Sequence, residues 1–405
     1  MAEETPPQRC VENQFHLQEK LGSGGFATVW RATDKNGGPD VAIKYARTEE
    51  DGSNNIEEVI DGFRNEYTVL SKFEESVLPS SIIRFVGGDC ADIPYIIMEY
   101  VEGSVLSDVL ARSGLLPGVE LVQTYGFPVL KALEFLHEND YCYLDCKPEN
   151  VMVRESENKP VLIDYNTVKP TNDSETLFYE DEYKAPEQTP NCENYSYNPG
   201  PWSDVYAAGK LLIYLLTGVK MTTSGTPIDG INILEYDNAV SDDFCRVLRR
   251  ATHSNPSQRP ENAGELLQAL YTASGRQTAS AQLIDTRSNL TCTVRPGDSI
   301  GRINTQDKIP DLGIEDQKKF ISPIHFQIKR NDELWFIYDR SLNGTYIQIS
   351  DGWQLLLCDE GHQQLQKTNP EQLPDGQIYG AGCIKEPTYI SPVDPTYDIT
   401  LRFCP

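Results

Sequence analysis

Residues 141–166 read YCYLDCKPENVMVRESENKPVLIDYN. Asp145, Lys147 and Asn150 stand in the spacing D-x-K-x-x-N, and Asp164 follows the apolar run Val161-Leu162-Ile163. Each residue type brings one capacity. A carboxylate such as Asp145 can take the proton of a hydroxyl, and an ammonium such as Lys147 can steady a phosphate. Asn150 and Asp164 are hard oxygen donors suited to Mg²⁺. Cys142 and Cys146 flank Asp145, which would expose the site to oxidation if either thiol were reactive. Reduced, inert thiols are the ordinary expectation for ten scattered cysteines with no C-x-x-C pair.

Upstream, Leu21-Gly22-Ser23-Gly24-Gly25-Phe26-Ala27-Thr28-Val29 lies between two strand-like segments. Glycines there let backbone amides approach a phosphate, although a glycine hairpin alone says little. Val41-Ala42-Ile43-Lys44 then ends an apolar strand on a cation. Ile56, Ile60, Phe63, Tyr67, Leu70 and Phe73 recur at helical spacing, with Glu66 beside the stripe. Ile96-Ile97-Met98-Glu99-Tyr100-Val101 reads as a further buried strand.

In this order the segments resemble the eukaryotic-type protein kinase family. The resemblance covers roughly residues 14–272 and implies a bilobal α+β fold that binds ATP and Mg²⁺ between its lobes. Asp145 then matches the catalytic base, and Lys147 the lysine that neutralises the transferring phosphoryl group. Asn150 and Asp164 match the metal ligands. Lys44 would meet the α- and β-phosphates, oriented by Glu66. ATP would sit among Leu21, Gly22, Gly24, Val29, Ala42, Lys44 and Met152, with Met98 at the back and hinge backbone from Glu99 and Val101. D-x-K-P-x-N looks like the serine/threonine branch. Ala185-Pro186-Glu187, the run Ser203 to Gly209, and Arg259, which the family pairs with Glu187, agree with it.

Three departures bear on activity. Leu144 stands where the family has an arginine that grips an activation-loop phosphate, so activity is expected not to depend on that contact. Asp164-Tyr165-Asn166 replaces D-F-G, and asparagine is the non-glycine residue best able to take the left-handed turn expected at Asn166. Tyr179-Glu180 replaces a Gly-Thr pair, which would set a negative charge beside Asp145. These departures motivate an alternative: a weak or inactive kinase-like scaffold.

Residues 273–280, ASGRQTAS, have little to bury and read as a linker. Beyond them helical periodicity gives way to short alternating strands. Gly301-Arg302, Ser322-Pro323-Ile324-His325 and Asn343-Gly344-Thr345 appear in order. They resemble the forkhead-associated (FHA) domain, an all-β sandwich that reads phosphothreonine, over roughly residues 281–405. The stretch 351–389 looks longer than usual for it. The resemblance implies that Arg302 and Ser322 bind the phosphate and that Asn343 holds the peptide backbone.

The 405 residues carry a net charge of −26: 23 basic against 44 acidic residues in 1–280, and 12 against 17 beyond. Such a field repels nucleic acid, and it reads either as solvated acidic surface or as an attraction for basic protein substrates. With no long apolar run and no N-terminal signal, a cytoplasmic chain off the membrane is expected. Residues 1–13 read as a disordered tail. Expected partners are protein substrates and phosphothreonine-containing proteins, or the chain's own phosphorylated segments; Thr5, Thr171, Thr176 and Thr278 lie in polar stretches.

Overall fold

The computed structural model describes residues 14–405 without 25–26, 48–55, 75, 91–93, 113–116, 172, 174–181, 190–197, 221–239, 277, 304–307, 369–372 and 374–378. The segment 1–13, Thr176 and the Tyr179-Glu180 pair therefore lie outside the described residues. The chain opens with strands β1 (Phe15–Ser23), β2 (Ala27–Asp34) and β3 (Val41–Ala46), helix α1 (Ile56–Lys72), the short strand β4 (Leu78–Pro79), then β5 (Phe85–Asp89) and β6 (Tyr95–Glu99). Among the described residues β1, β2, β3, β6 and β5 form one sheet in that order, and with α1 they make a small lobe. β3 reads VAIKYA and is buried along its whole length, because the sheet covers one face and α1 the other.

A larger, mostly helical lobe follows: β7 (Gly103–Val105), α2 (Leu106–Ala111), α3 (Val119–Leu121), α4 (Phe127–Glu138), β8 (Tyr141–Cys142), β9 (Val151–Arg154), β10 (Lys159–Leu162), β11 (Lys169–Pro170), α5 (Pro201–Thr217), α6 (Asp242–Ala251) and α7 (Ala263–Ala273). A π-helical turn, Val122–Gly126, joins α3 to α4. α6 and α7 start on side-chain caps: Ser241 accepts from Phe244 N at 3.1 Å and Asn262 from Glu265 N at 3.0 Å. Hairpin β9–β10 carries the turn between Asn150 and Asp164 and so fixes how far apart they stand.

Beyond α7 come β12 (Ala281–Asp285), β13 (Thr291–Val294), β14 (Ser299–Arg302), β15 (Leu312–Ile314), β16 (Phe326–Asn331), β17 (Leu334–Asp339), β18 (Thr345–Ile349), β19 (Gly352–Leu356), α8 (Asp359–Thr368), β20 (Ala381–Ile384), β21 (Thr388–Pro392) and β22 (Leu401–Cys404). They form two sheets, ordered β13-β12-β22-β21-β18-β19 and β20-β17-β16-β14-β15-β4. Trp335 of one sheet meets Phe403 of the other edge-on, with ring centroids 5.7 Å apart. This is the expected sandwich with one correction: α8 stands in the stretch read as over-long. Its sequence, DEGHQQLQKT, buries only Gly361 and Leu365, so it has no apolar stripe to read.

The second sheet borrows its edge strand from the first half of the chain: β4 pairs with β15 through Leu312↔Pro79 and Gly313↔Leu78. The apolar core of the larger lobe and that of the sandwich form one continuous cluster. Polar contacts line the same junction. Arg295 grips Glu134 with two hydrogen bonds of 2.7 and 2.6 Å, and Lys131 meets Asp298 at 2.6 Å. The Asn139 side chain completes a strand-like pair with Thr291, donating to its carbonyl at 2.9 Å and accepting from its N–H at 3.0 Å. Arg295 and Glu134 are both buried, so removing one leaves the other unpaired in a dry junction. Glu134→Ala is expected to cost about 3–5 kcal/mol of unfolding free energy in urea denaturation.

Candidate functional site

The backbone at Leu144 sets the loop that carries Asp145. Leu144 is left-handed, φ 65°. A β-carbon makes that conformation unfavourable by about 1–2 kcal/mol, so the surroundings must hold it. Asp204, at the start of α5, does so by accepting from Tyr143 N at 2.7 Å and Leu144 N at 2.6 Å, while His137 Nε2 meets the same carboxylate at 2.9 Å. On the other side the Leu144 carbonyl accepts from Gln188 Nε2 at 3.0 Å and from Lys184 Nζ. Asp145, next in the chain, is thereby aimed. Its carboxylate accepts from Asn150 Nδ2 at 2.6 Å and sits 3.1 Å from both Lys147 Nζ and Lys184 Nζ. Cys142 and Cys146 are buried beside it, and burial pushes both thiols up, so they stay protonated and inert.

The second group closes the cleft from the small lobe. Lys44 Nζ lies 2.7 Å from Glu66 Oε2 and 2.8 Å from Asp164 Oδ1. Burial works against the Lys44 charge, but the two carboxylates outweigh it and hold its pKa above the ordinary value. Burial likewise opposes charge on Asp164, and Lys44 overcomes it and pulls that carboxyl down. Glu66 also accepts from Tyr165 N at 3.1 Å, tying α1 to the Asp164 segment. Tyr165 stacks edge-on against Tyr143 at 5.5 Å, and the Tyr143 hydroxyl donates to the Ile163 carbonyl. The left-handed residue of this turn is Asp164, φ 65°, rather than Asn166. The expectation of a left-handed turn at Asn166 is corrected: Asp164 takes it, held by Lys44, and Asn166 does not have positive φ.

Between these groups lies the remainder of the expected nucleotide cleft. Val29 pairs with Lys44 across β2–β3, and Ala42 pairs with Met98 across β3–β6. Leu21 and Gly22 lie near the end of β1, and Gly24 N donates to Ala27 O at 2.9 Å; Gly25 and Phe26 lie outside the described residues. Met152 is half-buried on β9, and Val101 is buried after β6. The Glu99 N–H is spent on Arg84 O at 3.0 Å, so a hinge contact from Glu99 has only its carbonyl to use. Its side chain points elsewhere, accepting from Arg154 Nη2 at 2.8 Å and Arg84 N at 3.1 Å.

Sequence reading missed Lys184, Gln188 and the clasp made by Asp204. For Lys184 the sequence held no signal beyond a charged residue immediately before Ala185-Pro186-Glu187; its burial comes only with the fold. The Glu187–Arg259 pair is present, bidentate at 2.7 and 3.0 Å and completely buried.

In the sandwich, Arg302, Ser322 and Asn343 converge on one turn. Arg302 Nε donates to Ile321 O at 3.0 Å, Asn343 Nδ2 to Phe320 O at 2.6 Å, and Ser322 Oγ accepts from Leu342 N at 3.3 Å. Gly301 has a geometric reason: a Cβ there would stand 2.1 Å from the Pro323 carbonyl oxygen. His325, fully buried, holds the turn from beneath. Its Nδ1 accepts from Ser322 N at 3.0 Å and its Nε2 donates to Gly344 O at 3.0 Å. Burial lowers its pKa from 6.5 to about 4. As pH falls, the unfolded chain therefore takes up this proton before the folded one does. Stability from His325 is complete above pH 6.5 and is lost towards pH 4. A denaturant-midpoint profile over that window should be flatter for His325→Gln than for wild type.

A family model for the protein kinase domain matches residues 15–283, and one for the FHA domain matches residues 299–380. A probable serine/threonine-protein kinase of Clostridium perfringens is 27 % identical over 64 % of this chain and 38 % of its own length. Serine/threonine-protein kinase D of Synechocystis is 28 % identical over 66 % and 54 %, and serine/threonine-protein kinase PknB of Mycobacterium leprae 26 % identical over 72 % and 48 %. The chain thus spans about two fifths to one half of the length of these relatives. Among the described residues no helix is long and apolar enough to cross a membrane. The kinase match takes in more than half of the chain, and the fold and the cleft agree with it: this chain belongs to the protein kinase family and carries an FHA domain behind its kinase domain.

Proposed function

We propose that the chain is a serine/threonine protein kinase, transferring the ATP γ-phosphate to protein hydroxyls, with a sandwich that binds phosphothreonine to recruit substrates or its own phosphorylated segments. The kinase domain is taken as residues 14–272, the linker as 273–280 and the FHA domain as 281–405. The observation that carries the catalytic reading is the shell around Asp145, two lysines and an asparagine within hydrogen-bond or ion-pair range, facing an intact Lys44–Glu66–Asp164 triad.

In this reading Asp145 orients the attacking hydroxyl and receives its proton. Lys147 lies beside the path of the transferring phosphoryl group, and Lys44 holds the non-transferring phosphates. Asn150 spends both its amide hydrogens on Asp145, on the backbone oxygen at 2.9 Å and the carboxylate at 2.6 Å, which turns its amide oxygen outward as a cation ligand. Asp164 is held ionised by Lys44 and half-open to the cleft, so the pair fits a hard cation such as Mg²⁺. Bound there, Mg²⁺ would neutralise charge on the phosphates.

In the sandwich Arg302 offers a planar cationic fork, Ser322 a hydroxyl donor and Asn343 a two-way amide for peptide backbone. That chemistry suits a phosphothreonine, which carries a charge of about −1.5 to −2 at neutral pH.

Purified chain with labelled ATP–Mg²⁺ and a basic protein substrate should transfer label, and Asp145→Ala should lower transfer by roughly 10²-fold or more. No transfer by folded wild type at any salt concentration would remove the catalytic reading. Lys184→Met should lower kcat about 10- to 100-fold through misorientation of Asp145, with KM for ATP little changed.

A further inference from the structure

The small lobe and the sandwich face each other across a cavity of about 430 Å³. Arg302 and Lys319 line it from the sandwich, and the β2–β3 turn (Gly38, Pro39), Phe85 and Val86 from the small lobe. Val86 is 44 % exposed, an apolar side chain left facing this space. Arg84 and Glu99 line the cavity too; they are 6 % and 8 % exposed, and among the described residues Arg84 Nε and Glu99 Oε2 have no hydrogen-bond partner. Of the candidate phosphothreonine contacts, Arg302 therefore faces a wall of the kinase domain.

The start of the chain is delivered to the same place. Gln14 O accepts from Lys35 N at 2.9 Å, and Gly37 N donates to Asp34 O at 3.0 Å. Gln14, the first described residue, thus lies beside the turn that walls the cavity. The residues before it read MAEETPPQRCVEN, with Thr5 nine positions from Gln14. Extended chain of that length reaches up to about 30 Å, enough to span a cavity that touches both Gly37 and Arg302. Composition matches as well. Glu3 and Glu4 precede Thr5 and Pro6-Pro7 follow it, so the segment runs from acidic, through the modified residue, to rigid and apolar. The cavity offers Lys319 and Arg302 for the first part and Pro39, Phe85 and Val86 for the last. Of its three acids, Asp316 is already committed to Ile321 N at 2.7 Å and the Tyr397 hydroxyl at 2.6 Å, and Glu99 to Arg154 at 2.8 Å, while Glu315 is exposed at the rim. Of the other candidate threonines, Thr171 N donates to Asp140 O at 2.9 Å and Thr278 is half-buried between α7 and β12, while Thr176 lies outside the described residues.

We propose that the chain's own Thr5, once phosphorylated, docks in the cleft between the small lobe and the FHA domain, its phosphate on Arg302 and its Pro6-Pro7 flank on Val86. The inference rests on the kinase and phosphothreonine readings above. In the modification, the Thr5 hydroxyl oxygen forms a bond to the γ-phosphorus of ATP, the bond to the β-phosphate oxygen breaks with its electron pair leaving on ADP, and the hydroxyl proton passes to Asp145. Docking in cis is strengthened by tethering, since a short flexible link gives an effective concentration in the millimolar range.

The test uses the full chain carrying Thr5→Val, treated with phosphatase, and a labelled synthetic peptide of residues 1–13 phosphorylated at Thr5, read by fluorescence anisotropy. The phosphopeptide should bind and its unphosphorylated form should not. Arg302→Ala and, separately, Val86→Glu should each weaken binding at least tenfold. Unchanged affinity in Val86→Glu, with loss in Arg302→Ala, would overturn the composite cleft while leaving the phosphothreonine site intact. Binding of an unrelated phosphothreonine peptide but not the Thr5 peptide would overturn the assignment of Thr5. If no phosphothreonine peptide binds the folded chain, the reading of Arg302 itself fails and the inference falls with it.

Discussion

Leu144 is held left-handed between two opposed sets of contacts, and the geometry of the cleft follows from that constraint. From below, Asp204 gathers the N–H groups of Tyr143 and Leu144. From above, Lys184 and Gln188 take the Leu144 carbonyl. With the backbone pinned on both sides, Asp145 can point in one direction only, and Lys147, Lys184 and Asn150 close around it. An arginine at position 144 would have served by binding an anion brought from outside. The aliphatic Leu144 cannot, and here Lys184, a cation internal to the chain, sits 3.1 Å from the Asp145 carboxylate. The loop is thus held by residues that are always present.

The sandwich is not an appendage on a flexible tether. It takes β4 as its own edge strand, shares an apolar core with the larger lobe, and buries the Arg295–Glu134 pair at the seam. Arg84 shows how close the two parts come. It donates to Ser76 O, Leu78 O and Gly313 O while its own N–H meets Glu99 at 3.1 Å, and burial lowers its pKa to about 10. A Cβ at Gly313 would lie 2.7 Å from Arg84 Nη2, so the approach requires glycine at this position. A rigid seam of this kind fixes the direction in which the Arg302 turn faces, which a free linker would not do.

Much of the catalytic arrangement was legible because it is written locally. The D-x-K-x-x-N run, the strand ending in Lys44 and the acid behind an apolar strand are short patterns whose chemistry follows from residue type, and the fold pairs Lys44 with Asp164 at 2.8 Å and Lys147 with Asp145 at 3.1 Å. What escaped was long-range or conformational. Lys184 acts on a residue 39 positions earlier, and a lysine before Ala185 looks like any surface charge until the fold buries it. Asp164 rather than Asn166 takes the left-handed turn, since tertiary contacts to Lys44 outweigh local preference. α8 has almost no buried face, so its pattern carries no period. The seam was invisible for a related reason: Glu134, Lys131 and Asn139 are polar residues on a helix, which in isolation mean solvent.

If the chain's own lysines orient Asp145, transfer needs no phosphate in the loop before Ala185, and the first turnover shows it. Phosphatase-treated chain would be mixed with labelled ATP–Mg²⁺ and a protein substrate, and product followed from the earliest times. Linear product formation without a lag, at the same rate before and after the chain labels itself, is the result expected here. A lag that shortens as the chain becomes phosphorylated, or no product until it has been, would contradict the account.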